Sequence, residues 1–194
     1  SDKGYRFEGR GTSGVFYQES YASPTVGDFD NDGNLDLFFT TVYGTASFGK
    51  KNNAVLYKNQ TNFKFSDVTA DNNLENLPPT YQAAWADYDR DGDLDLILGT
   101  RVSSVELFEN IGTREAPIYA AKSKKLKTQG GKPIKGSNAH RADWDGDGVL
   151  DLVLGAEYGG VHWYRNVGST YKPLYGDRQV IVEQPEFKQR TEAE

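Results

Sequence analysis

Three short apolar runs punctuate a largely polar chain. They are Leu35, Leu37, Phe38 and Phe39; then Leu94, Leu96, Ile97 and Leu98; then Leu150, Leu152, Val153 and Leu154. Runs this dense predict strands buried on both faces. The last two stop at Gly99 and Gly155, too soon for a typical helix. Each run is preceded by an Asp-rich segment, and before that by a short strand-like stretch: ASPTVG, QAAWA and NAHRA. Each is followed by a second predicted strand that ends in Asn: NAVLYKN at Asn59, SVELFEN at Asn110 and GVHWYRN at Asn166. A third predicted strand comes next, in NFKFSDVT, APIYAAKS and YKPLYGDRQV.

The chain is therefore a repeat. The Asp-rich segments DFDNDGNLDLFFT, DYDRDGDLDLILGT and DWDGDGVLDLVLGA start at Asp28, Asp87 and Asp143, 59 and then 56 residues apart. Four strands in a unit of this length is the pattern of a propeller blade. The predicted fold is all-β: three four-stranded antiparallel blades over residues 28–80, 81–137 and 138–182. Residues 1–27 supply the last strand of a preceding blade (Tyr5–Val15) and a lead-in strand, and 183–194 form a tail. Three blades do not close a ring, since propellers typically have about 4–8. The expectation is a part of a larger propeller or an oligomeric one, with the orphan strand seeking a partner edge.

The Asp-rich loops hold the candidate chemistry. Loop positions 1, 3, 5 and 9 are Asp28, Asp30, Asp32 and Asp36; Asp87, Asp89, Asp91 and Asp95; and Asp143, Asp145, Asp147 and Asp151. Position 6 is Gly33, Gly92 or Gly148, where the loop must turn. Position 7 varies (Asn34, Asp93, Val149), as expected if its backbone carbonyl is the ligand, and position 8 is a Leu expected to anchor the loop in the core. Four carboxylates in nine residues repel one another, and a hard divalent cation removes that repulsion. This many protein oxygens suits Ca²⁺ better than Mg²⁺, with Mn²⁺ as an alternative. An EF-hand would need Glu at position 12, where this chain has Phe39, Leu98 and Leu154. Three Ca²⁺ ions would cancel the net charge of −6. The acidity is thus local, which argues against nucleic acid as a partner.

These loops resemble the calcium loops of FG-GAP/VCBS-type repeats, found in integrin α-subunit propellers and bacterial secreted proteins. FSDVTADNNL and ELFENIGTREAPIY look like the outer strands of such repeats. The resemblance spans roughly residues 5–180 and implies three Ca²⁺ sites, held by the twelve Asp side chains above and completed by the position 7 carbonyls. It implies no particular ligand, because a fold does not fix a function. The plain reading is that the metal staples each blade; the functional alternative is that it bridges a ligand.

Other residues offer weaker signals. His140 and Arg141 lie on the predicted innermost strand and could form a polar channel site, although a solvated or carbonyl-paired His is the simpler reading. His162 sits where Val55 and Glu106 sit in the other units, which suggests a tolerant, exposed face. The first unit carries about eight extra residues near Thr41–Asn53. Its Tyr43, Phe48, Lys50 and Lys51 are candidate contacts for a glycan or protein, against a plain variable loop. Lys122, Lys124, Lys125, Lys127, Lys132 and Lys135 could meet an anionic polysaccharide, but a solvated connector explains them as well. Phe29, Tyr88 and Trp144 share loop position 2 and read as packing residues. Asn59-Gln60-Thr61 is a glycosylation sequon, meaningful in a eukaryotic secretory host.

The chain has no Cys, so neither disulfides nor a Cys-based zinc site stabilises it. No apolar run approaches a membrane span, and the chain opens without Met or a signal segment, as a mature product or a fragment would. There is no G-x-S-x-G, P-loop or dinucleotide fingerprint, and GTSG at Gly11–Gly14 lacks the elbow spacing. The expected function is a non-enzymatic, calcium-stabilised binding or assembly module recognising protein or glycan. It would act outside the cell, at its surface or in the periplasm. The alternatives are a scaffold part of a polysaccharide-active lyase or dehydratase, and a self-associating subunit of a ring or filament.

Overall fold

A computed structural model of the chain describes residues 21–42, 53–102, 104–156 and 159–183. The predicted Tyr5–Val15 strand and the inserted Tyr43, Phe48, Lys50 and Lys51 lie outside these residues, as does the tail beyond 183.

The described residues form three four-stranded antiparallel sheets and no helix. The first joins β1 (Tyr21–Gly27), β2 (Asp36–Thr41), β3 (Val55–Asn59) and β4 (Phe65–Asp67) in that order. The second joins β5 (Thr80–Ala86), β6 (Asp95–Thr100), β7 (Val105–Phe108) and β8 (Lys124–Lys125). The third joins β9 (Asn138–Ala142), β10 (Asp151–Gly155), β11 (Val161–Tyr164) and β12 (Gln179–Val182). Each sheet is a meander, the architecture of a propeller blade. These three do not close a ring.

The apolar runs become β2, β6 and β10. In β6 every residue is buried. Period-2 geometry sends Leu96 and Leu98 into a core shared with Phe29, Phe38 and Leu56 of the first blade. It sends Ile97 into a second core with Ala139, Leu152 and Leu154 of the third. In the outer blades Leu37 and Phe39 of β2 and Val153 of β10 are half-buried, whereas Val55 and Tyr57, paired with Phe39 and Leu37, are buried. Trp85 fills the first interface, with its ring centroid 6.0 Å from Phe29, 5.8 Å from Phe38 and 5.9 Å from Tyr119. The first strand of each blade runs beside that of the next. Thr25 Oγ1 donates to the Ala83 carbonyl at 2.8 Å, and Gln82 Nε2 lies 3.2 Å from His140 Nε2.

The outer strands differ from expectation. APIYAAKS is not the fourth strand of the second blade; that strand is the two-residue β8. In the third blade, YKPLYGDRQV is mostly loop and the strand starts at Gln179. The cause is the Asn that ends the previous strand. Asn110 Oδ1 accepts the N–H of Gly112 at 2.9 Å and of Ile118 at 3.0 Å, which curls the intervening segment. Asn166 Oδ1 does the same to Gly168 and Leu174, both at 3.0 Å. In the first blade a tight turn, with Gln60 N–H donating to the Lys64 carbonyl at 2.6 Å, lets β4 begin at once.

Leu35 is also not a core anchor. It is 62% exposed, and Leu94 and Leu150 are half-buried. It is the carbonyl of position 8 that is held, accepting from Asn59 Nδ2 at 3.0 Å, Tyr119 Oη at 3.2 Å and Asn166 Nδ2 at 3.2 Å respectively.

Candidate metal centres

Each Asp loop links the first strand of a blade to the second, so all three project from the same end of consecutive blades. The glycines at position 6 take positive φ (89° at Gly33, 103° at Gly92, 85° at Gly148), the turn the sequence requires. The carboxylate at position 1 then ties the loop down. Asp28 accepts the N–H groups of Asp32 and Gly33 at 2.9 and 3.0 Å, and Asp143 accepts those of Gly146 and Gly148 at 2.8 and 3.0 Å.

Position 9 begins the second strand and is buried in every blade. Its carboxylate bridges the loop to the end of the third strand. Asp36 accepts the N–H of Phe29 at 3.2 Å and of Asn59 at 2.8 Å. Asp95 accepts those of Tyr88 at 2.9 Å and Asn110 at 2.8 Å, and Asp151 those of Trp144 at 3.3 Å and Asn166 at 2.6 Å. The recurrent Asn was visible in the sequence as a strand end. That its backbone closes on the loop carboxylate was not.

Three groups of carboxylates converge, each with oxygens within 4.8 Å of one another: Asp28, Asp30 and Asp36; Asp87, Asp89 and Asp91; Asp143, Asp145 and Asp147. Asp32, Asp95 and Asp151 stand beside these triads. Asp32 is engaged with the N–H of Asn34 at 2.9 Å, which lowers its pKa. Asp93 places a fifth carboxylate in the second loop, and Asn34 Nδ2 donates to Asp32 at 2.8 Å.

The electrostatics are those of crowded, part-buried carboxylates. Burial, aided by neighbouring carboxylates, pushes Asp36 up to about 6, Asp93 to about 6 and Asp95 to about 7. Asp30, Asp87, Asp89 and Asp93 each bury one carboxylate oxygen with no hydrogen-bond partner. Buried acceptors without donors are costly, and converging ones fit a hard, oxygen-seeking divalent cation.

The second cluster of candidates forms a cleft of about 400 Å³ between the second and third blades, lined by Ala84, Asp87, Arg90, His140, Arg141 and Leu150. Arg141 braces the interface there. Its Nη1 donates to the Asp87 carbonyl at 2.8 Å, and its guanidinium lies 5.1 Å from the Tyr88 ring centroid. The face shared by His162, Val55 and Glu106 is not an exposed one: Val55 and Glu106 are buried and His162 is half-buried. The lysine cluster is partly paired, Lys124 with Glu109, Lys125 with Glu106 at 3.9 Å and Lys132 with Asp177 at 3.3 Å. At loop position 2, Phe29 packs in the core and Tyr88 against the second interface, but Trp144 is 50% exposed and does not pack as expected.

Among the described residues no helix is long and apolar enough to cross a membrane. No curated protein matches the chain. The model of the FG-GAP-like repeat matches residues 28–98, from the first aspartate of the first loop to the strand after the second. Residues 28–98 are thus a repeat of the FG-GAP type, and the third blade carries the same loop on the same four-strand framework.

Proposed function

We propose that the chain is a non-enzymatic, calcium-stabilised β-propeller module that binds protein or glycan, or assembles, outside the cell. The observation that carries this reading is the buried, partnerless carboxylate oxygens at equivalent loops of the first and second blades. Asp28, Asp30 and Asp36, Asp87, Asp89 and Asp91, and Asp143, Asp145 and Asp147 would hold the ions, with the position 7 carbonyls and the remaining loop aspartates completing the sites. The ion supplies positive charge that fixes each loop between two strands. Its binding free energy therefore becomes folding free energy. Extracellular modules commonly bind Ca²⁺ at about 10⁻⁴–10⁻³ M, a level met outside cells, and FG-GAP repeats typically occur in extracellular proteins. The test is a melting scan in millimolar Ca²⁺ and in chelator. A midpoint that rises by roughly 10 °C or more with Ca²⁺ is expected; an unchanged midpoint defeats the reading.

Self-association is favoured as the mode of assembly by the exposed apolar side chains of the third blade. Trp144, Val180 and Val182 of that blade are exposed. Sedimentation in millimolar Ca²⁺ tests this, and a strict monomer at all concentrations counts against it.

A further inference from the structure

The three acidic loops share their backbone but not their counter-charge. The residue before each recurrent Asn sits beside the loop, and it is Lys58, Glu109 or Arg165. In the first blade, the Lys58 ammonium pairs with Asp30 and with Asp32, the latter at 3.1 Å. In the third, Arg165 Nε lies 2.6 Å from Asp145 and Nη2 lies 2.9 Å from Asp147. Each tethered cation thus occupies the carboxylates that a metal would use.

The second blade reverses this. Glu109 stands in the cation's place and turns to Lys124. Asp93 adds a fifth carboxylate, 8% exposed, with one oxygen buried and partnerless; Asp87 and Asp89 have one such oxygen each. Among the described residues no ion pair reaches Asp87, Asp89, Asp91, Asp93 or Asp95. Arg114 donates to the Gly92 carbonyl at 3.2 Å, not to a carboxylate.

We propose that the loops form a graded series of divalent-cation sites. The second fills first and tightest, and the first and third are held by Lys58 and Arg165 as tethered counter-cations that an entering ion must displace. This rests on reading the loops as Ca²⁺ sites. An ion entering the second loop meets uncompensated negative charge at close range. One entering the first or third must break an ion pair and then tolerate the displaced cation nearby. The middle blade, which shares an interface with both others, is therefore locked at low Ca²⁺. The outer blades are locked at higher Ca²⁺. Stiffening of the outer blades then follows the later binding steps.

The experiment is calorimetric titration of the metal-stripped chain with CaCl₂ at neutral pH, for the wild type and for Lys58→Gln, Arg165→Gln and Glu109→Lys. The wild type is expected to show one step at least tenfold tighter than the other two. Lys58→Gln and Arg165→Gln should each tighten one weak step severalfold, and Glu109→Lys should weaken the tight one. Three indistinguishable steps in the wild type overturn the proposal and leave the calcium reading standing. So do weak steps unmoved by both charge removals, whatever those variants do to the metal-free melting temperature. No calcium binding at all overturns both.

Discussion

The carboxylate of Asp95 accepts the backbone N–H of Asn110 at 2.8 Å, across the 15 residues that separate them. The other oxygen takes the N–H of Tyr88 at 2.9 Å, so one side chain ties the loop to the end of the third strand of its blade. Asp36 with Asn59 and Asp151 with Asn166 repeat the arrangement. An acceptor buried this deeply is well placed for N–H donors and badly placed for its own charge.

That conflict makes metal-free stability depend on pH in an unusual direction. Asp95 is held up to about 7, and Asp36 and Asp93 to about 6, chiefly by burial, against an ordinary value of 3.8. Between roughly pH 4 and 7 the folded chain therefore holds more protons than the unfolded chain, and its stability falls as pH rises. In chelator, lowering pH from 8 to 5 should raise the melting midpoint. With saturating Ca²⁺ the same acidification should lower it, because protons then compete with the ion for the carboxylates. Melting scans at four pH values under both conditions check this; parallel trends would show that these aspartates do not govern the loops.

The second and third blades meet at Gly99, where the chain leaves no room for a side chain. A Cβ there would stand 1.9 Å from the carbonyl oxygen of Ser137, which is backbone and has no rotamer to yield. Gly99→Ala should cost about 1–3 kcal/mol, the usual range for overpacking. Gly130→Ala, whose Cβ would lie 3.8 Å from Thr128 Oγ1, should stay within about 0.5 kcal/mol of the wild type. Urea unfolding of the two variants side by side reads the difference.

The repeat alone makes the fold legible. The Asp spacing placed the loops, the apolar runs placed β2, β6 and β10, and Gly33, Gly92 and Gly148 marked the turns. What a one-dimensional pattern lacks is direction. The run Leu96-Ile97-Leu98 says that the strand is buried, not that Ile97 faces a different blade from its neighbours. The outer strands were misplaced because Asn110 and Asn166 capture N–H groups two and eight residues ahead, a side-chain effect invisible to strand propensity. Lys58, Glu109 and Arg165 each precede a recurrent Asn in the sequence. Their alignment against the recurrent Asn was the available signal, and their charge acquires meaning only when the hairpin folds that Asn onto the loop.

Loop position 2 gives a direct reading of which faces are covered. Phe29 and Trp144 occupy the same place in their repeats, and each donates its N–H to the position 9 carboxylate. Phe29 is 3% exposed beneath Trp85 of the next blade, whereas Trp144 is 50% exposed. Phe29→Ala should therefore cost about 3–5 kcal/mol in urea unfolding, as for other buried aromatics. Trp144→Ala should cost under about 1 kcal/mol in dilute monomer, because its ring has little packing to lose. If the exposed face is where another blade or a second copy docks, Trp144→Ala should also weaken concentration-dependent association in millimolar Ca²⁺ by at least tenfold, measured by sedimentation. Association that survives Trp144→Ala unchanged would place the contact elsewhere on the molecule.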